Sequence, residues 1–330
     1  MTAAIVSTTV STTATATTSA TAAAAAVAPA HKAHRGTIHV EDAKILSQQP
    51  YPGRQFVLRL AAPLCAARAT AGSFAHVAVD PSIPMRRPLS IMRADRQEGW
   101  IELLYKVVGE GLSHLAGRKP GDTVNLLGPI GVGFTPQVAR PRALLIGGGV
   151  GIPPMVFLAE TLRDRAAEGF RPLVIMGSEL PFPFRTRPST ILVPGMPDGV
   201  IASMPLLEDW GIPSRLTSKS GFAGCHDGFV TDLARAWLQQ QDRAALAEVE
   251  IFTCGPTPML RAVAALAREF GVACQVSLEE FMACAVGGCA GCTVEVATPA
   301  GPAMKRVCVD GPVFDAYTVF TDKKQKEGLS

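Results

Sequence analysis

Ala143-Leu144-Leu145-Ile146-Gly147-Gly148-Gly149-Val150-Gly151-Ile152-Pro153-Pro154 passes from a short apolar run, through four glycines, into a segment with proline near its start. The apolar run reads as a buried strand and the glycines as a tight turn. The prolines suit the first turn of a helix, where no intrahelical donor is lost, and the expected helix runs through Arg163. Such a strand, turn and helix form the phosphate-binding corner of an α/β nucleotide domain. The strict dinucleotide fingerprint is broken, because Pro154 stands where its third glycine would be. A plain strand-to-helix connection is the simpler alternative.

Downstream the α/β alternation continues. The pattern predicts a strand over Leu173 to Met176, a helix near Val200 to Trp210 and a strand over Ser214 to Thr217. A helix over Thr231 to Leu238 follows, with Thr231 as candidate N-cap, then a strand over Val249 to Thr253. A helix over Thr257 to Phe270 ends at Gly271, and Val272 to Ser277 is expected to be the final strand. This is the signature of a parallel, doubly wound sheet. Cys254-Gly255-Pro256 falls at the carboxyl end of one strand, where open α/β sheets bind ligands. A cysteine there can touch a nicotinamide ring, or serve as a small buried hydrophobe.

Upstream, from about Gly36, the texture is antiparallel. Alternating segments such as Gln55 to Leu60, Phe74 to Val79 and Trp100 to Val108 are broken by Gly and Pro, and a small barrel is the expected closure. Arg87-Pro88-Leu89-Ser90 lies in this region, followed by Leu104-Tyr105-Lys106 and then Gly109-Glu110-Gly111-Leu112-Ser113. An Arg held by the next Pro suits a bidentate pyrophosphate contact, and a Gly-x-Gly turn opening a helix brings backbone N–H groups to phosphate. Ser90 could donate to the edge of a flavin ring. A solvated Arg86-Arg87 pair and an ordinary turn are the alternatives.

Near the C-terminus Cys284, Cys289, Cys292 and Cys308 are spaced C-x4-C-x2-C-x15-C, the arithmetic of a plant-type [2Fe-2S] site. The residues between the first three thiols are small apart from Val286, so the loop can fold tightly and aim N–H groups at sulfur. A polar, hairpin-like stretch from Thr293 to Arg306 carries the chain to the fourth thiol. A four-thiolate zinc site and disulfides are the competing readings.

Composition narrows the field. The 330 residues are 48% hydrophobic and 18% charged with a net charge of +3, which suits a well-cored protein of two or three domains and argues against nucleic acid or an anionic membrane surface. No stretch reads as a transmembrane helix. Eight cysteines, four of them in the cluster pattern, leave Cys65, Cys225, Cys254 and Cys274 as free thiols, which places the chain in a reducing cytoplasm. The first thirty residues are mainly Thr, Ala, Ser and Val without a charged side chain, and they read as a disordered tail rather than a secretory or transit peptide. The expected organisation is a tail over 1–34, an antiparallel β-barrel over 35–138, an α/β nucleotide domain over 139–277 and a cluster module over 278–330, so the fold class is α+β multidomain.

Taken in order, the R-P-x-S element, the G-x-G loop, G-G-G-x-G-I-P-P, C-G-P and the cysteine set followed by C-x-D-G-P-V-F at Cys308 to Phe314 resemble one family. It is the ferredoxin-reductase-type flavoproteins, in the branch of electron-transfer subunits of type B dihydroorotate dehydrogenase. The resemblance covers roughly Gly36 to Phe314. It implies FAD held by Arg87, Pro88, Leu89, Ser90, Leu104, Tyr105, Lys106, Gly111 and Leu112. It implies NAD, or NADP, bound across Gly147, Gly148, Gly149, Gly151 and Pro153 and across Cys254, Gly255 and Pro256. One [2Fe-2S] cluster is implied on the four cysteines. A separate FMN-containing dihydroorotate dehydrogenase catalytic subunit is the implied partner, in a heterotetramer that serves pyrimidine biosynthesis. Electrons would pass from dihydroorotate through the partner's FMN, the cluster and FAD to NAD. Hydride transfer itself requires no protein acid or base, so no catalytic residue is assigned.

Three features depart from that family. Leu112 replaces a usual Thr, with Ser113 as its candidate substitute. Lys219-Ser220-Gly221 replaces an acidic pair before glycine. Ser178 to Asp198 is a long loop with five prolines where a short turn would do. Arg185 and Arg187 in that loop could meet a 2'-phosphate, or form a solvated basic loop. Two other functions fit the same motifs: an NAD(P)H-ferredoxin or hydrogenase-type oxidoreductase subunit, and a redox-sensing module that binds cofactor without turnover.

Overall fold

The computed structural model describes residues 36–321, so the tail expected over 1–34 lies outside the described residues. Six strands, β1 (His39–Tyr51), β2 (Gln55–Ala61), β3 (Phe74–Val77), β4 (Arg87–Asp95), β5 (Trp100–Lys106) and β6 (Thr123–Ile130), close into an antiparallel barrel in the order β1-β2-β5-β4-β3-β6. Their inward residues, among them Leu58, Leu60, Ile91, Ile101, Leu103 and Leu126, are fully buried. Helix α1 (Pro63–Arg68) and helix α2 (Gly109–Ala116) complete this half. Gln48 on β1 donates to the carbonyls of Leu115, Ala116 and Arg118, satisfying the end of α2 that no intrahelical donor reaches.

The second half is a six-stranded sheet. Its strands are β7 (Arg142–Gly148), β8 (Leu173–Gly177), β11 (Ser214–Thr217), β12 (Val249–Cys254), β13 (Ala273–Ser277) and β16 (Val313–Asp315), in the order β11-β8-β7-β12-β13-β16. The first five are parallel. Between β8 and β11 the chain forms a two-residue ladder of β9 (Arg187–Pro188) with β10 (Ala202–Ser203), then helix α4 (Pro205–Asp209). Helices α3 (Ile152–Asp164), α5 (Val230–Gln239), α6 (Arg243–Ala247) and α7 (Thr257–Phe270) complete the alternation. Residues of β7 alternate between two cores. Ala143 and Leu145 join α3 and the barrel, whereas Leu144 and Ile146 join α5 and α7. The barrel and α3 therefore share one continuous apolar interior.

Four expectations change. The helix expected near Val200 to Trp210 is only Pro205–Asp209, because Ala202 and Ser203 extend to pair with Pro188 and Arg187. Helix α5 starts one residue before Thr231, and Asp232 accepts a hydrogen bond from the backbone N–H of Phe229, which takes the N-cap position. Ser277 does not end the sheet, since β16 adds an antiparallel edge beyond it. The sheet is accordingly parallel over five strands and mixed at one edge.

The C-terminal lobe contains the cysteine loop, a hairpin of β14 (Thr293–Thr298) and β15 (Gly301–Arg306), then β16 and the short helix α8 (Ala316–Val319). The hairpin read from the polar stretch is present. The lobe's own core is small: Met282, Ala285, Cys292, Val307 and Cys308 pack with Phe74 and Ile130, which come from the barrel.

Candidate functional site

A cavity of about 1110 Å³ opens where the barrel, the carboxyl end of the sheet and the cysteine lobe meet. It is large enough for more than one drug-sized molecule. Arg87 to Ser90, Leu104 to Lys106 and Leu112 form its barrel side. Val150 and Cys254 to Thr257 form its sheet side, and Ser277 to Ala283 with Gly291 form the side next to the cysteines.

The two arginines that open β4 differ. Arg86 is a brace, donating to the backbone carbonyls of His76 and Asn125 and to the Asn125 side chain. Arg87 lies against the first turn of α2. A Cβ at Gly111 would sit 2.7 Å from its Nη2, so this glycine is what admits the guanidinium. The N-cap of α2, Val108, offers no side-chain acceptor, which leaves uncapped backbone donors beside a fixed cation. That pairing could hold a pyrophosphate.

Pro88 and Ser90 are half-buried and face the cavity, whereas Leu89 joins the barrel core. Tyr105 is also committed inward, with its ring stacked on Phe56 at 5.4 Å and its hydroxyl donating to Gln48 at 3.0 Å. Burial pushes its phenol well above the ordinary range. Leu112 lines the cavity and Ser113 does not. The Ser113 hydroxyl bonds the Gly109 carbonyl and accepts from Arg54, so it does not stand in for a missing threonine.

On the sheet side the glycines make room for backbone. A Cβ at Gly151 would lie 2.2 Å from the Cys254 carbonyl oxygen, so the turn after β7 and the Cys254-Gly255-Pro256 turn after β12 touch main chain to main chain. Met259 covers Gly148 and Gly255 together. Helix α3 begins at Ile152 with Pro153 and Pro154 next, which lack N–H groups, so donors for a phosphate would come from the turn itself. Cys254 is buried, and burial pushes its thiol up to about 12 against a hydrogen bond with Ser277 that acts the other way. It is a neutral thiol at physiological pH.

The four cysteines pair two by two. The Cys289 N–H donates to Cys284 Sγ at 3.4 Å, and Cys292 Sγ stands 3.4 Å from Cys308 Sγ, too long for a disulfide. Two thiolates for each of two irons is the donor set of a [2Fe-2S] cluster. The Gly291 N–H donates to Cys289 Sγ, and Ala285 and Ala290 adopt left-handed backbone with φ of 56° and 55°. Burial would raise the Cys284 thiol, but N–H groups of Val286, Cys289 and Gly288 and the Cys289 thiol outweigh it and bring it down to about 7. Cys308 goes the other way, to about 12, through burial and the adjacent Cys292. Four thiols, paired two by two, supply the donor chemistry of a cluster, although among the described residues no group of three or more potential ligands is gathered closely enough to hold a metal ion.

Sequence reasoning missed the segment Ser277 to Met282, which joins the sheet to the cysteine loop and walls the cavity. The signal was available, since this segment follows the carboxyl end of β13, where the switch-point rule looks for ligand contacts. Phe281 is 94% exposed at the rim and Glu279 is exposed beside it, its carboxyl raised by partial desolvation and by Glu280. In the proline-rich loop, Arg187 pairs with Asp209 at 2.5 Å. Lys219 places its ammonium 4.0 Å from the Phe229 ring centroid.

Residues 279–320 match the model of the iron-sulfur cluster binding domain of dihydroorotate dehydrogenase B. The electron transfer subunit of dihydroorotate dehydrogenase B (NAD(+)) from Bacillus caldolyticus is 35% identical over 286 residues, covering 84% of this chain and 98% of that protein. Its counterpart from Desulforamulus reducens is 32% identical over 284 residues, with 85% and 98% covered. Among solved structures, an NADH-dependent reduced ferredoxin-NADP oxidoreductase studied for flavin-based electron bifurcation superposes with a TM-score of 0.68 at 26% identity, covering 87% of this chain and 92% of that one. With a third of its residues shared along nearly the full length of such relatives, and with their cluster domain at its C-terminal end, the chain belongs to the family of dihydroorotate dehydrogenase B electron transfer subunits.

Proposed function

We propose that the chain passes electrons between a dihydroorotate-oxidising catalytic subunit and NAD, using FAD and a [2Fe-2S] cluster, in the oxidation step of pyrimidine synthesis. The observation that carries this reading is the cavity walled at once by the β4 arginine corner, by Val150 of the glycine-rich turn with Cys254 to Pro256, and by the cysteine lobe. Bound there, flavin would exchange a hydride with nicotinamide on one side and single electrons with the cluster on the other.

The protein's part is placement. Arg87 and the first turn of α2 take the flavin pyrophosphate, with Gly111 leaving room for the guanidinium. Pro88, Ser90, Leu104, Lys106 and Leu112 line the ring and ribityl side, and Leu89 and Tyr105 support that wall from the core. Gly147 to Gly151 and Pro153, with Cys254 to Pro256, receive the nicotinamide nucleotide. Cys284 with Cys289 and Cys292 with Cys308 grip the two irons. Met282 and Gly291 border both the cavity and the cysteine loop, so the flavin site and the cluster are close neighbours. The partner is an FMN-containing dihydroorotate dehydrogenase subunit, in a heterotetramer. No helix among the described residues is long and apolar enough to cross a membrane, and eight unpaired cysteines suit a cytoplasmic setting.

The likeness to the ferredoxin-NADP oxidoreductase, at 26% identity, favours one second reading, in which the same machinery serves a ferredoxin. Purification from the native host under anaerobic conditions, followed by partner identification and flavin, iron and zinc analysis, tests both. The expected result is a yellow-brown complex with FAD, two irons per chain and a dihydroorotate-oxidising subunit. Zinc in place of iron, with no flavin absorbance, would sink the reading, and a ferredoxin partner would select the second.

A further inference from the structure

The long proline-rich loop and two of the three tryptophans do not line the cavity, yet they converge on one seam between barrel and sheet. Five side chains alternate along it. Arg59 lies 4.1 Å from the Trp100 ring centroid, Arg93 lies 5.4 Å from Trp100 and 5.1 Å from Trp210, and Arg163 lies 4.7 Å from Trp210. Glu102 on β5 accepts from Arg59 at 2.8 Å and stands 3.8 Å from Arg93. Glu160 on α3 accepts from Arg93 at 2.8 Å. Trp210 caps α4, and the loop is fastened to that helix through Ser189 and Thr190 on Glu208 and Arg187 on Asp209. The loop's other end is held to the barrel, where Gln55 donates to the Pro181 carbonyl at 2.8 Å.

Arg93 is the one residue of the ladder that bonds both halves. It is three residues beyond Ser90 on β4, about 10 Å along a strand. Glu160 is eight residues beyond Ile152 on α3, about 12 Å along a helix. The strand that starts at the flavin corner is thus stapled, one short lever away, to the helix that starts at the nucleotide turn. The pair is largely shielded, with side chains 22% and 14% exposed, so water and salt weaken it less than a surface pair. We infer that Arg93, clamped by Glu160 and sandwiched by Trp100 and Trp210, is a positioning residue that sets the separation of flavin and nicotinamide for hydride transfer. The proline-rich loop is the strap that seats Trp210 in that clamp.

This inference rests on the functional reading above, and the test separates the two. In the full-length, flavin-loaded chain, Arg93→Ala is expected to slow the limiting rate of flavin reduction by NADH about 100-fold, the cost of a misplacement near 1 Å. Flavin content, visible spectrum and reduction by dithionite stay as in the wild type. In the flavin-free chain, amide exchange of β4 and α3 is expected to accelerate about 10-fold, while exchange of the cysteine lobe is unchanged. Exchanging the charges, with Arg93→Glu and Glu160→Arg together, recovers part of the rate. An unaltered limiting rate, a rate that falls only in step with lost flavin, or unaltered exchange in β4 and α3 overturns the inference. Should Arg93→Ala fail to accumulate, Glu160→Gln carries the same measurements and criteria. A wild-type holoprotein whose flavin NADH cannot reduce would instead defeat the functional reading, and the exchange experiment would still judge the clamp.

Discussion

Two glycine-rich loops face the same cavity and use glycine for opposite reasons. In the turn over 147–151, Gly147, Gly148 and Gly151 have neighbours where a Cβ would go, at 3.1, 2.4 and 2.2 Å. In the cysteine loop, a Cβ at Gly288 would find its nearest neighbour, Cys284 Sγ, at 4.0 Å, and one at Gly291 would meet Cys289 Sγ at 3.6 Å. The left-handed turns there include two alanines as well as Gly287, the one described glycine of this loop that is crowded, with Val309 Cγ2 2.5 Å from where its Cβ would be. The first loop needs glycine because main chain touches main chain at Gly151 and methionine side chains lie over Gly147 and Gly148. The second needs smallness around sulfur, so that N–H groups can reach the thiolates and a cluster can sit among them. Identical residue types thus report packing in one place and ligand access in the other.

The comparison can be broken most severely from the cysteine side. Cys292→Ser removes one of the two thiols in the buried pair and should abolish the cluster, seen as loss of nearly all bound iron and of its visible absorbance while flavin remains. Retained iron in that variant would show that the pairing is wrong. A smaller effect sharpens the contrast. Gly151→Ala should destabilise the fold by about 3 kcal/mol and raise the KM for NADH, because the Cys254 backbone must move. Gly288→Ala, with open space around it, should stay within about 0.5 kcal/mol in chemical denaturation. Equal losses would erase the distinction.

The smallest effect concerns pH. Burial raises Cys254 from its ordinary 9.0 to about 12, so the stability it contributes is complete below about pH 9 and is lost as pH climbs toward 12. Cys274 is raised by burial too, in the same direction. Denaturation midpoints should therefore decline above about pH 9, less steeply in Cys254→Ala. A decline already present at pH 8 would contradict this.

What could be read in the chain was local. The unit from Ala143 to Asp164 announces itself through an apolar run, glycines and prolines within twenty-odd residues, and the cysteine spacing needs nothing else. The helix over Thr257–Phe270 and its left-handed stop at Gly271 emerge as expected for the same reason. What escaped depends on partners far away in sequence. Strand β16 is three residues long and exists because β13 offers it an edge. The helix expected at Val200 lost its first turn because Ala202 found Pro188. The proline-rich loop resembled a solvated basic excursion, but Arg187 is claimed by Asp209 and Arg215 bonds the Ile191 carbonyl, contacts that no periodicity encodes. Arg87 and Gly111 are each legible as phosphate contacts, but no spacing encodes that the guanidinium lies directly against that glycine.

The edge strand has a further consequence. After the last cysteine the chain turns back, and Val313–Asp315 hydrogen-bonds to Ala273–Ser277, while the cysteine core borrows Phe74 and Ile130 from the barrel. The iron-bearing lobe is therefore sewn into its host instead of hanging from it like a bead on a thread. Grafting it onto an unrelated reductase would require transplanting a sheet margin and a matching apolar socket along with the four thiols, so evolution or engineering must trade this piece together with its seat.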